Sequence, residues 1–328
     1  MLVKSPFSQK NIKALYYAGG YLRSWLKPGR SFEKWMEIYE GLDAEEKAEI
    51  DRRVNYYCQW EGPLLGDQLE NSLAIGDLKK PDRGKTYFLD LMEYTRYFAP
   101  ENRLHFLMGD IVHVPEVPTI VKSRPLVQNE VNGIDSNANS VLLNLNKVRH
   151  FTFIKDPVPF EKKKDILLCR NALYQPNRLA FFEKHFGHPL TDLGQVNTGT
   201  DHDQWVKPKM SMRQHLDYKF ILCLEGNDVA SNLKWVMSSG SLAVMPRPRY
   251  ETWFMEGTLK PDVHYVHLQD DYSDLEEKLT YYINHPDAAR KIVENAHAYI
   301  SQFTGSKLAA QREVLVSLRV LGKFFGKI

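Results

Sequence analysis

One short stretch of the sequence collects side chains that could hold a polar ligand. The segment EGNDVASNLKW, residues 225–235, lies between the apolar runs YKFILCL and LAVM. Because Asp is a favoured capping residue, the pattern predicts a strand followed by a helix that starts at Val229, with Asp228 as its cap. A helix N-terminus presents unpaired N–H groups and a partial positive charge, and Lys219 and Lys234 would add full charges. A diphosphate is therefore a physically sensible ligand here.

The candidate binding residues of this segment lie in the expected turn after the strand and in the first two turns of the expected helix. They are Glu225, Asn227, Asp228, Val229, Ala230, Ser231, Asn232 and Lys234. The plainer alternative is a capped structural helix whose polar residues are solvated, and the segment alone does not decide between the two.

Further basic residues lie upstream. Arg170 ends the apolar run DILLCR, and Arg178 follows near the expected start of a helix. An arginine at a strand exit can bind phosphate oxygens through two parallel hydrogen bonds. Lys122 and Arg124 lie in the proline-rich segment around VKSRP. Each of them is equally well explained by a surface salt bridge, and the sequence does not show that they converge.

Two motifs that suggest a metal or a nucleotide-hydrolase site are incomplete. The triplet Asp201-His202-Asp203 has the spacing of an acidic metal clamp, yet it lies in NTGTDHDQW and follows no apolar strand. The segment GPLLGDQ lacks the Gly-Lys-Ser/Thr of a phosphate loop. The cysteines form neither a disulfide framework nor a metal-spaced set; they are Cys58, Cys169 and Cys223. We expect no metal and no cofactor.

Length and composition limit the class of protein. The chain has 328 residues, is 43% hydrophobic and 26% charged, and carries a net charge of +2. Single cores stop growing at about 250–300 residues, so the length predicts two packed domains. The balanced charge argues against nucleic-acid binding. No apolar stretch nears the roughly 20 residues of a membrane span, and the N-terminus lacks the apolar core of a signal peptide. The expected location is the reducing cytoplasm.

The two ends of the chain are more basic than its middle. Residues 1–32 contain no Asp or Glu. Their basic and aromatic residues are Lys4, Lys10, Lys13, Arg23, Lys27 and Arg30, interleaved with Tyr16, Tyr17, Tyr21 and Trp25. Residues 307–328 hold five basic residues against Glu313 alone. Basic amphipathic helices bind anionic membrane surfaces, although solvated faces of packed terminal helices give the same pattern.

Hydrophobic periodicity predicts the elements that would position these residues. In the first half we expect helices over 33–60, 86–98 and 139–151 and a buried strand over 103–109. The second half alternates strands and helices, which predicts a parallel α/β sheet with ligands bound at the carboxyl ends of its strands. Its predicted elements are strand 165–170, helix 175–187, mostly loop over 191–216, strand 218–224, helix 229–238, strand 241–246, strand 263–268, and helices 272–284 and 287–302.

Several segments resemble glycosyltransferase family 90. They are YKFILCLEGNDVASNLKWVMSSGS, LKPDVHYVHL and DDYSDLEEKLTYYINHPDAARKIVENAHAYI. Upstream, PTIVKSRPL, NSVLLNLNKVRHF and QPNRLAFFEKHFGHP resemble the bacterial lipopolysaccharide-modifying branch. The resemblance spans roughly residues 105–303, and NDVASNLKW and KPDVHYV are its most specific parts.

The resemblance implies an α/β protein of the GT-B type, with two Rossmann-like domains facing across a cleft. Residues 1–160 would bind the acceptor and 161–304 the nucleotide sugar, and a helix over 305–328 would pack back on the first domain. It also implies metal-independent transfer with inversion, from a UDP-sugar to a lipopolysaccharide-core or related glycan. The enzyme would be cytoplasmic, at the inner face of the inner membrane through its basic N-terminus.

The resemblance also suggests roles for single residues. Asp110 follows the strand LHFLMG as the family's catalytic aspartate follows its strand, and it would deprotonate the acceptor hydroxyl. Glu116 is the second candidate for this base. The family's donor-binding segments fall on Lys122, Arg170, Lys219 and 228–234.

Two departures from the family pattern keep rival functions open. Family members often have Arg-Gly where this chain has Arg170-Asn171. Eukaryotic members place an Arg near the position of Asn232, and this chain has none there. One rival is a non-catalytic saccharide-binding or scaffold protein on a degenerate transferase fold. The other is a GT-B transferase of a different family.

Overall fold

The computed structural model describes residues 11–26, 28–126 and 136–328. The predictions for Lys4, Lys10 and Lys27 lie outside these residues. The helices are α1 (Lys13–Trp25), α2 (Phe32–Glu40), α3 (Ala44–Tyr57), α4 (Lys85–Thr95), α5 (Lys147–His150), α6 (Pro176–His185), α7 (Met212–His215), α8 (Leu233–Met237), α9 (Leu275–Asn284), α10 (Pro286–Ser301) and α11 (Lys307–Phe324). The strands are β1 (Leu73–Ala74), β2 (Arg103–Phe106), β3 (Thr119–Val121), β4 (Ser123–Pro125), β5 (Ser140–Leu142), β6 (Lys164–Asn171), β7 (Thr191–Gln195), β8 (Tyr218–Leu222), β9 (Leu242–Met245), β10 (Tyr250–Thr252) and β11 (Val266–His267).

The strands form two larger sheets and one small connecting pair. The first sheet has the order β1-β2-β3-β5, in which β2, β3 and β5 are parallel. The second sheet, β11-β9-β8-β6-β7, is parallel throughout. An antiparallel pair, β4 with β10, joins chain from the first half to chain from the second. The predicted α/β class with parallel sheets is confirmed.

Side chains of β8 alternate between two hydrophobic clusters, as a strand period of two requires. Phe220 and Leu222 belong to a cluster with α6 and α9, whereas Ile221 and Cys223 face the other way. The cluster on that second face continues through the first sheet to α11. The second sheet is therefore buried on both faces, which is typical of parallel sheets.

Two helices of the first hundred residues begin at capping residues. Ser31 caps α2 by accepting from the backbone N–H of Lys34, and Asp43 caps α3 by accepting from Glu46. The helical segment predicted over 33–60 therefore forms two helices, which residues 41–43 separate. The last helix, α11, packs against α2, α3 and α4.

The prediction for residues 139–151 is wrong, and the prediction of mostly loop for residues 191–216 omits a strand. The helix predicted over 139–151 is strand β5 over Ser140–Leu142, because this fully buried segment pairs with β3; only α5 is helical. The predicted loop over 191–216 contains β7, an edge strand held by its pairing with β6. In both segments a partner distant in sequence supplies the hydrogen bonds that local periodicity does not reveal.

Within the described part of the chain, no helix combines the length and apolar character needed to cross a bilayer.

Candidate active site

One buried lysine joins the carboxyl ends of the two sheets. Lys122 directly follows β3 and is 1% exposed. Its Nζ contacts Oδ1 of Asp110, in the loop after β2, and lies 2.7 Å from Oδ2 of Asp228, in the loop after β8. The lysine therefore links both loops at the place where parallel sheets bind their ligands.

Lys122 keeps Asp110 ionised. Burial alone would raise the pKa of Asp110, but the hydrogen bond and charge of Lys122, with a hydrogen bond from Asn227, lower it overall. Burial would likewise lower the pKa of Lys122, yet the charge of Asp228 and the contact with Asp110 raise it. At neutral pH Lys122 is therefore an ammonium and Asp110 a carboxylate that can accept a proton.

Asn227 fixes the loop after β8 against both neighbouring segments. Its Nδ2 donates to Oδ2 of Asp110 over 3.2 Å, and its Oδ1 accepts from Nε2 of Gln175 over 3.0 Å. Gln175 directly precedes α6. The amide thus joins the candidate base to the sheet that carries α6.

Glu225 shapes the segment that follows β9. Its carboxylate accepts from the backbone N–H groups of Arg249 (2.8 Å) and Tyr250 (3.2 Å), and from Nε of Arg249 (3.0 Å). Burial raises the pKa of Glu225, although these hydrogen bonds and the arginine's charge oppose the shift. Glu225 is therefore a positioning group for residues 249 and 250.

Arg178 brings a positive charge to the same edge. It donates to the carbonyl oxygens of Glu225 (3.1 Å), Ala172 (3.1 Å) and Leu224 (3.2 Å). Among the described residues it has no carboxylate partner, and burial lowers its pKa. Its charge is thus left uncompensated beside the loop after β8.

A cavity of about 230 Å³ opens beyond the carboxyl ends of β8 and β9. Val229 and Ala230 are buried in its wall, and Arg247 and Arg249 lie on the other side. Arg247 is exposed and forms no ion pair with any residue in the described ranges. Three carboxylates also line the cavity, of which Glu225 is paired with Arg249 and Glu256 with Lys234, while Asp270 has no ion pair with a described residue. Arg247 is therefore the cation of this lining that remains available to an anionic ligand.

The expected helix start in the 225–235 segment is wrong. The helix begins at Leu233, and Asp228 caps nothing because its carboxylate turns to Lys122. Asn232 closes the turn instead, donating from Nδ2 to the carbonyl oxygen of Leu222 over 2.9 Å. The side chain of Ser231 is exposed. An anion site at the N-terminus of a long helix is therefore not what this segment forms.

Lys234 and Lys219 are not near the cavity's open side. Lys234 is fully buried with Nζ 2.7 Å from Oε1 of Glu256, because the short α8 turns it into the core. Lys219 lies at the start of β8, where its Nζ is 2.5 Å from Oδ1 of Asp165. That is the opposite end of the strand from the loop, so the predicted convergence of these two cations is wrong.

Arg170 and Arg124 are held by carboxylates elsewhere. Both terminal oxygens of Asp192 accept from Nη2 of Arg170 at 2.9 Å, which directs the guanidinium back along β7. Nε of Arg124 lies 2.8 Å from Oε1 of Glu251 across the β4–β10 pair. Both residues of this second pair are 2% exposed. Neither arginine faces the cavity, contrary to expectation.

Glu116 is not drawn into the site. Its side chain is exposed and has no hydrogen bond or ion pair within the described part of the chain. Only its backbone oxygen is engaged, by Nδ2 of Asn139 over 2.8 Å. Of the two candidate bases, Asp110 is the one that the structure brings to Lys122.

Several residues of the site are missing from the sequence analysis. Arg247 and Arg249 follow an apolar strand in PRPRY, the same signal that singled out the loop after β8. Arg149 is exposed and close enough for its charge to lower the pKa of Asp110. His150 is buried, and burial together with Lys122 holds its pKa well below the usual value. No local pattern marks the last two residues.

The triplet Asp201-His202-Asp203 has a structural explanation. Asp203 accepts from the backbone N–H groups of Gly199 (3.0 Å) and Thr200 (3.1 Å), and the ring of His202 stacks on Trp205 at 4.5 Å. Across the described residues, no group of three or more His, Cys, Asp and Glu side chains comes together.

Comparison with known proteins gives three findings. The model of "Glycosyl transferase family 90" matches residues 165–309. An "O-glucosyltransferase LpsA" from Dichelobacter nodosus is 40% identical over 302 residues, which is 92% of this chain and 90% of that protein. An "Uncharacterized protein 027R" of Frog virus 3 is 31% identical over 102 residues, 30% of this chain and 10% of the viral protein.

Proposed function

The chain belongs to glycosyltransferase family 90 and is a glycosyltransferase, and on that premise we propose that it is inverting and metal-independent. In this proposal a nucleotide sugar is the donor and an oxygen of a lipopolysaccharide-core or related glycan is the acceptor. The printed name of the bacterial relative, an O-glucosyltransferase, favours UDP-glucose as donor. The observation that carries the proposal is the contact of Asp110, Lys122 and Asp228 between the two sheets.

The two sheets supply the two halves of a GT-B arrangement in this proposal. Residues 1–160 carry the first sheet with Asp110 and would receive the acceptor. Residues 161–304 carry the second sheet and the cavity, and would receive the nucleotide sugar. The contact of α11 with α2, α3 and α4 supports its assignment to the first half.

The cations around the cavity would stabilise the departing diphosphate. Arg247 lines the cavity and is exposed without an ion pair to a described residue. Arg178 is not part of the lining and would act from behind Leu224 and Glu225, to whose carbonyl oxygens it donates. Preorganised donors of this kind lower a barrier because they need no reorganisation when charge develops, and each is worth about 3–4 kcal/mol. Arg178 keeps the role predicted from the sequence, and Arg247 and Arg249 replace Lys219, Lys234 and Arg170.

Asp110 would act as the base. The acceptor oxygen attacks the anomeric carbon while its proton passes to Asp110, and the bond from that carbon to the diphosphate breaks. Attack opposite the leaving group inverts the sugar carbon. Lys122 would keep Asp110 ionised before the transfer, because its charge and hydrogen bond lower the pKa of Asp110.

The helix α1 would hold the enzyme at an anionic membrane surface. Leu15 and Leu22 lie on one face with Leu26 just beyond the helix end, and Trp25 adjoins them; Trp25 is 85% exposed. The segment carries no acidic residue, so its apolar side and its charge both suit anionic lipid. A lipid-linked acceptor would then be within reach.

The deciding experiment compares Asp110→Asn with Glu116→Gln. Transfer of glucose from UDP-glucose to purified lipopolysaccharide core is measured in the presence of EDTA. General-base catalysis contributes about 10²–10⁴-fold, so Asp110→Asn should lose that factor while Glu116→Gln keeps normal turnover. Normal turnover of Asp110→Asn would contradict the base assignment, and a strict need for Mn²⁺ or Mg²⁺ would contradict metal independence.

A further inference from the structure

A second cavity of about 690 Å³ lies apart from the one beside β8 and β9. Its wall is formed by α1, α4, α11 and the chain around α5. The volume lies within the range of about 300–1,000 Å³ that is usual for small-molecule sites. The lining residues include none of Asp110, Lys122 or Asp228. The cavity is therefore large enough for a ligand of its own.

The carboxylates in this wall are already paired. Oε2 of Glu93 lies 2.5 Å from Nζ of Lys147 and 3.4 Å from Nη2 of Arg23. Oε1 of Glu313 lies 2.5 Å from Nη2 of the fully buried Arg53. Since each carboxylate has its own cation, the wall offers no unpaired negative charge to a cationic ligand. Lys307 also lines the cavity, is exposed and forms no ion pair with a described residue, so the wall suits a neutral or anionic polar ligand better than a cationic one.

Hydrogen-bonding capacity remains in this wall. Asn11 is 7% exposed and donates to the carbonyl oxygens of Val148 (3.0 Å) and Phe151 (3.1 Å), but its Oδ1 has no partner among the described residues. Oδ1 of Asn144 and Nε of Arg23 are likewise unpaired there. A buried polar group without a partner costs about 1–3 kcal/mol. A ligand with several hydroxyl groups could satisfy the two acceptors and the donor.

Aromatic rings complete the wall. Phe151, Phe153 and Phe303 line the cavity together with Tyr16 and Tyr94. Apolar and aromatic walls with a few polar groups are typical of ligand pockets. Saccharides match both the aromatic walls and the unpaired polar groups, because a sugar ring presents C–H groups on its faces and hydroxyl groups at its edge.

The cavity adjoins the edge of the sheet that carries the candidate base. Asn144 lies two residues beyond the end of β5, and Lys122 lies one residue beyond the end of its parallel neighbour β3. Within α5, Lys147 lines the cavity while Arg149 acts on Asp110. A glycan of several units at Asp110 therefore has this cavity within its reach.

We propose that this cavity is a second saccharide site, which binds a unit of the acceptor glycan other than the one that reacts. The inference rests on the proposed transferase function and deepens it. The site would select acceptors that carry a further sugar at the correct distance, and it would not affect binding of the donor.

The test uses variants that fill or alter the wall of the full chain. Ala310 is exposed on α11 and lines the cavity, so Ala310→Trp fills it without removing a contact. Ala298 is exposed on α10 outside the cavity, and Ala298→Trp is the matched control. Asn144→Leu removes the unpaired amide oxygen. Binding of methyl glycosides of glucose, galactose, mannose and N-acetylglucosamine, each up to 50 mM, is followed by saturation-transfer NMR.

At least one glycoside should bind the wild type and Ala298→Trp with equal affinity. Ala310→Trp should weaken that binding at least tenfold and Asn144→Leu several-fold. Absence of binding to the wild type, or unchanged binding to Ala310→Trp, would overturn the inference.

Slow hydrolysis of UDP-glucose, measured in parallel, separates this inference from the proposed function. All the variants should retain it, because none touches the donor cavity. Retained hydrolysis without glycoside binding would remove only the second site. Glycoside binding without any donor hydrolysis or transfer would instead count against the proposed function.

Discussion

Replacing Lys122 by methionine should destabilise the protein strongly, because it leaves two carboxylates without their cation. The side chains of Lys122 and Asp228 are 2% and 4% exposed, so water does little to replace the lost contact at Asp228. Breaking a buried pair by removing one partner costs about 3–5 kcal/mol. We expect Lys122→Met to lower the free energy of unfolding at pH 7 by about this amount.

The pH dependence of this loss has a definite sign. In the wild type the pKa of Asp110 is lowered and that of Lys122 is raised. The stability from Asp110 is present above its unfolded pKa, about 3.9, and that from Lys122 below its own, about 10.4. Between these values both contributions are complete. Without the lysine, the effect of burial on Asp110, which raises its pKa, is no longer offset by the cation. The folded variant then binds more protons than the unfolded chain and becomes more stable on acidification.

The assay is urea denaturation of the wild type and of Lys122→Met at pH 5 and pH 7. The deficit of the variant should shrink at pH 5, and Lys122→Met/Asp228→Asn should recover at least half of it at pH 7 because the orphaned charge is gone. A deficit under about 1 kcal/mol would refute the reasoning, since a buried pair is worth more. A deficit that neither acid nor Asp228→Asn relieves would refute it as well.

Other predictions follow from single contacts. Arg247→Ala should raise KM for UDP-glucose about tenfold, as loss of a hydrogen bond to a charged group does, while Lys219→Ala at the far end of β8 leaves KM unchanged; equal values for the two variants would contradict the donor cavity. Arg124→Met should lower the free energy of unfolding by about 3–5 kcal/mol in urea titrations. The native fraction of this variant should keep its fold and its KM for the donor. An unchanged free energy of unfolding would show that the β4–β10 pair does not depend on this residue. Replacing Leu22 and Trp25 by serine should abolish co-sedimentation with vesicles of phosphatidylglycerol, and full binding by that variant would exclude α1 as the membrane contact.

The sequence predicted best what depends on local pattern. Apolar runs followed by polar turns identified β6 and β8, and the loop after β8 does meet the candidate base Asp110 through Asn227. The donor-binding role of that loop stays a prediction. Local pattern also favoured a helix from Val229. The conformation of the turn depends instead on the contact of Asp228 with Lys122, a residue far away in the sequence.

Charge patterning was the least reliable guide. Lys234 stands between Leu233 and Trp235, and Arg124 stands between Ser123 and Pro125. Neither setting indicates the carboxylate, Glu256 or Glu251, against which the cation is buried. An ion pair of this kind cannot be inferred from either partner alone. Arg247 and Arg249 had a recognisable signal, two arginines at a strand exit, and that signal applied to β9 as well as to β8.

The antiparallel pair of β4 and β10 has a mechanical consequence. Strand β4 begins directly after Lys122, and strand β10 begins directly after Arg249. The buried ion pair of Arg124 and Glu251 joins the two strands. If the two halves of the molecule rotate to admit a substrate, this pair is a natural pivot, and atoms beside a pivot travel least. Such a rotation would move most the parts of the two sheets that lie farthest from this pair, while Lys122 and Arg249, which directly precede its two strands, would keep their spacing.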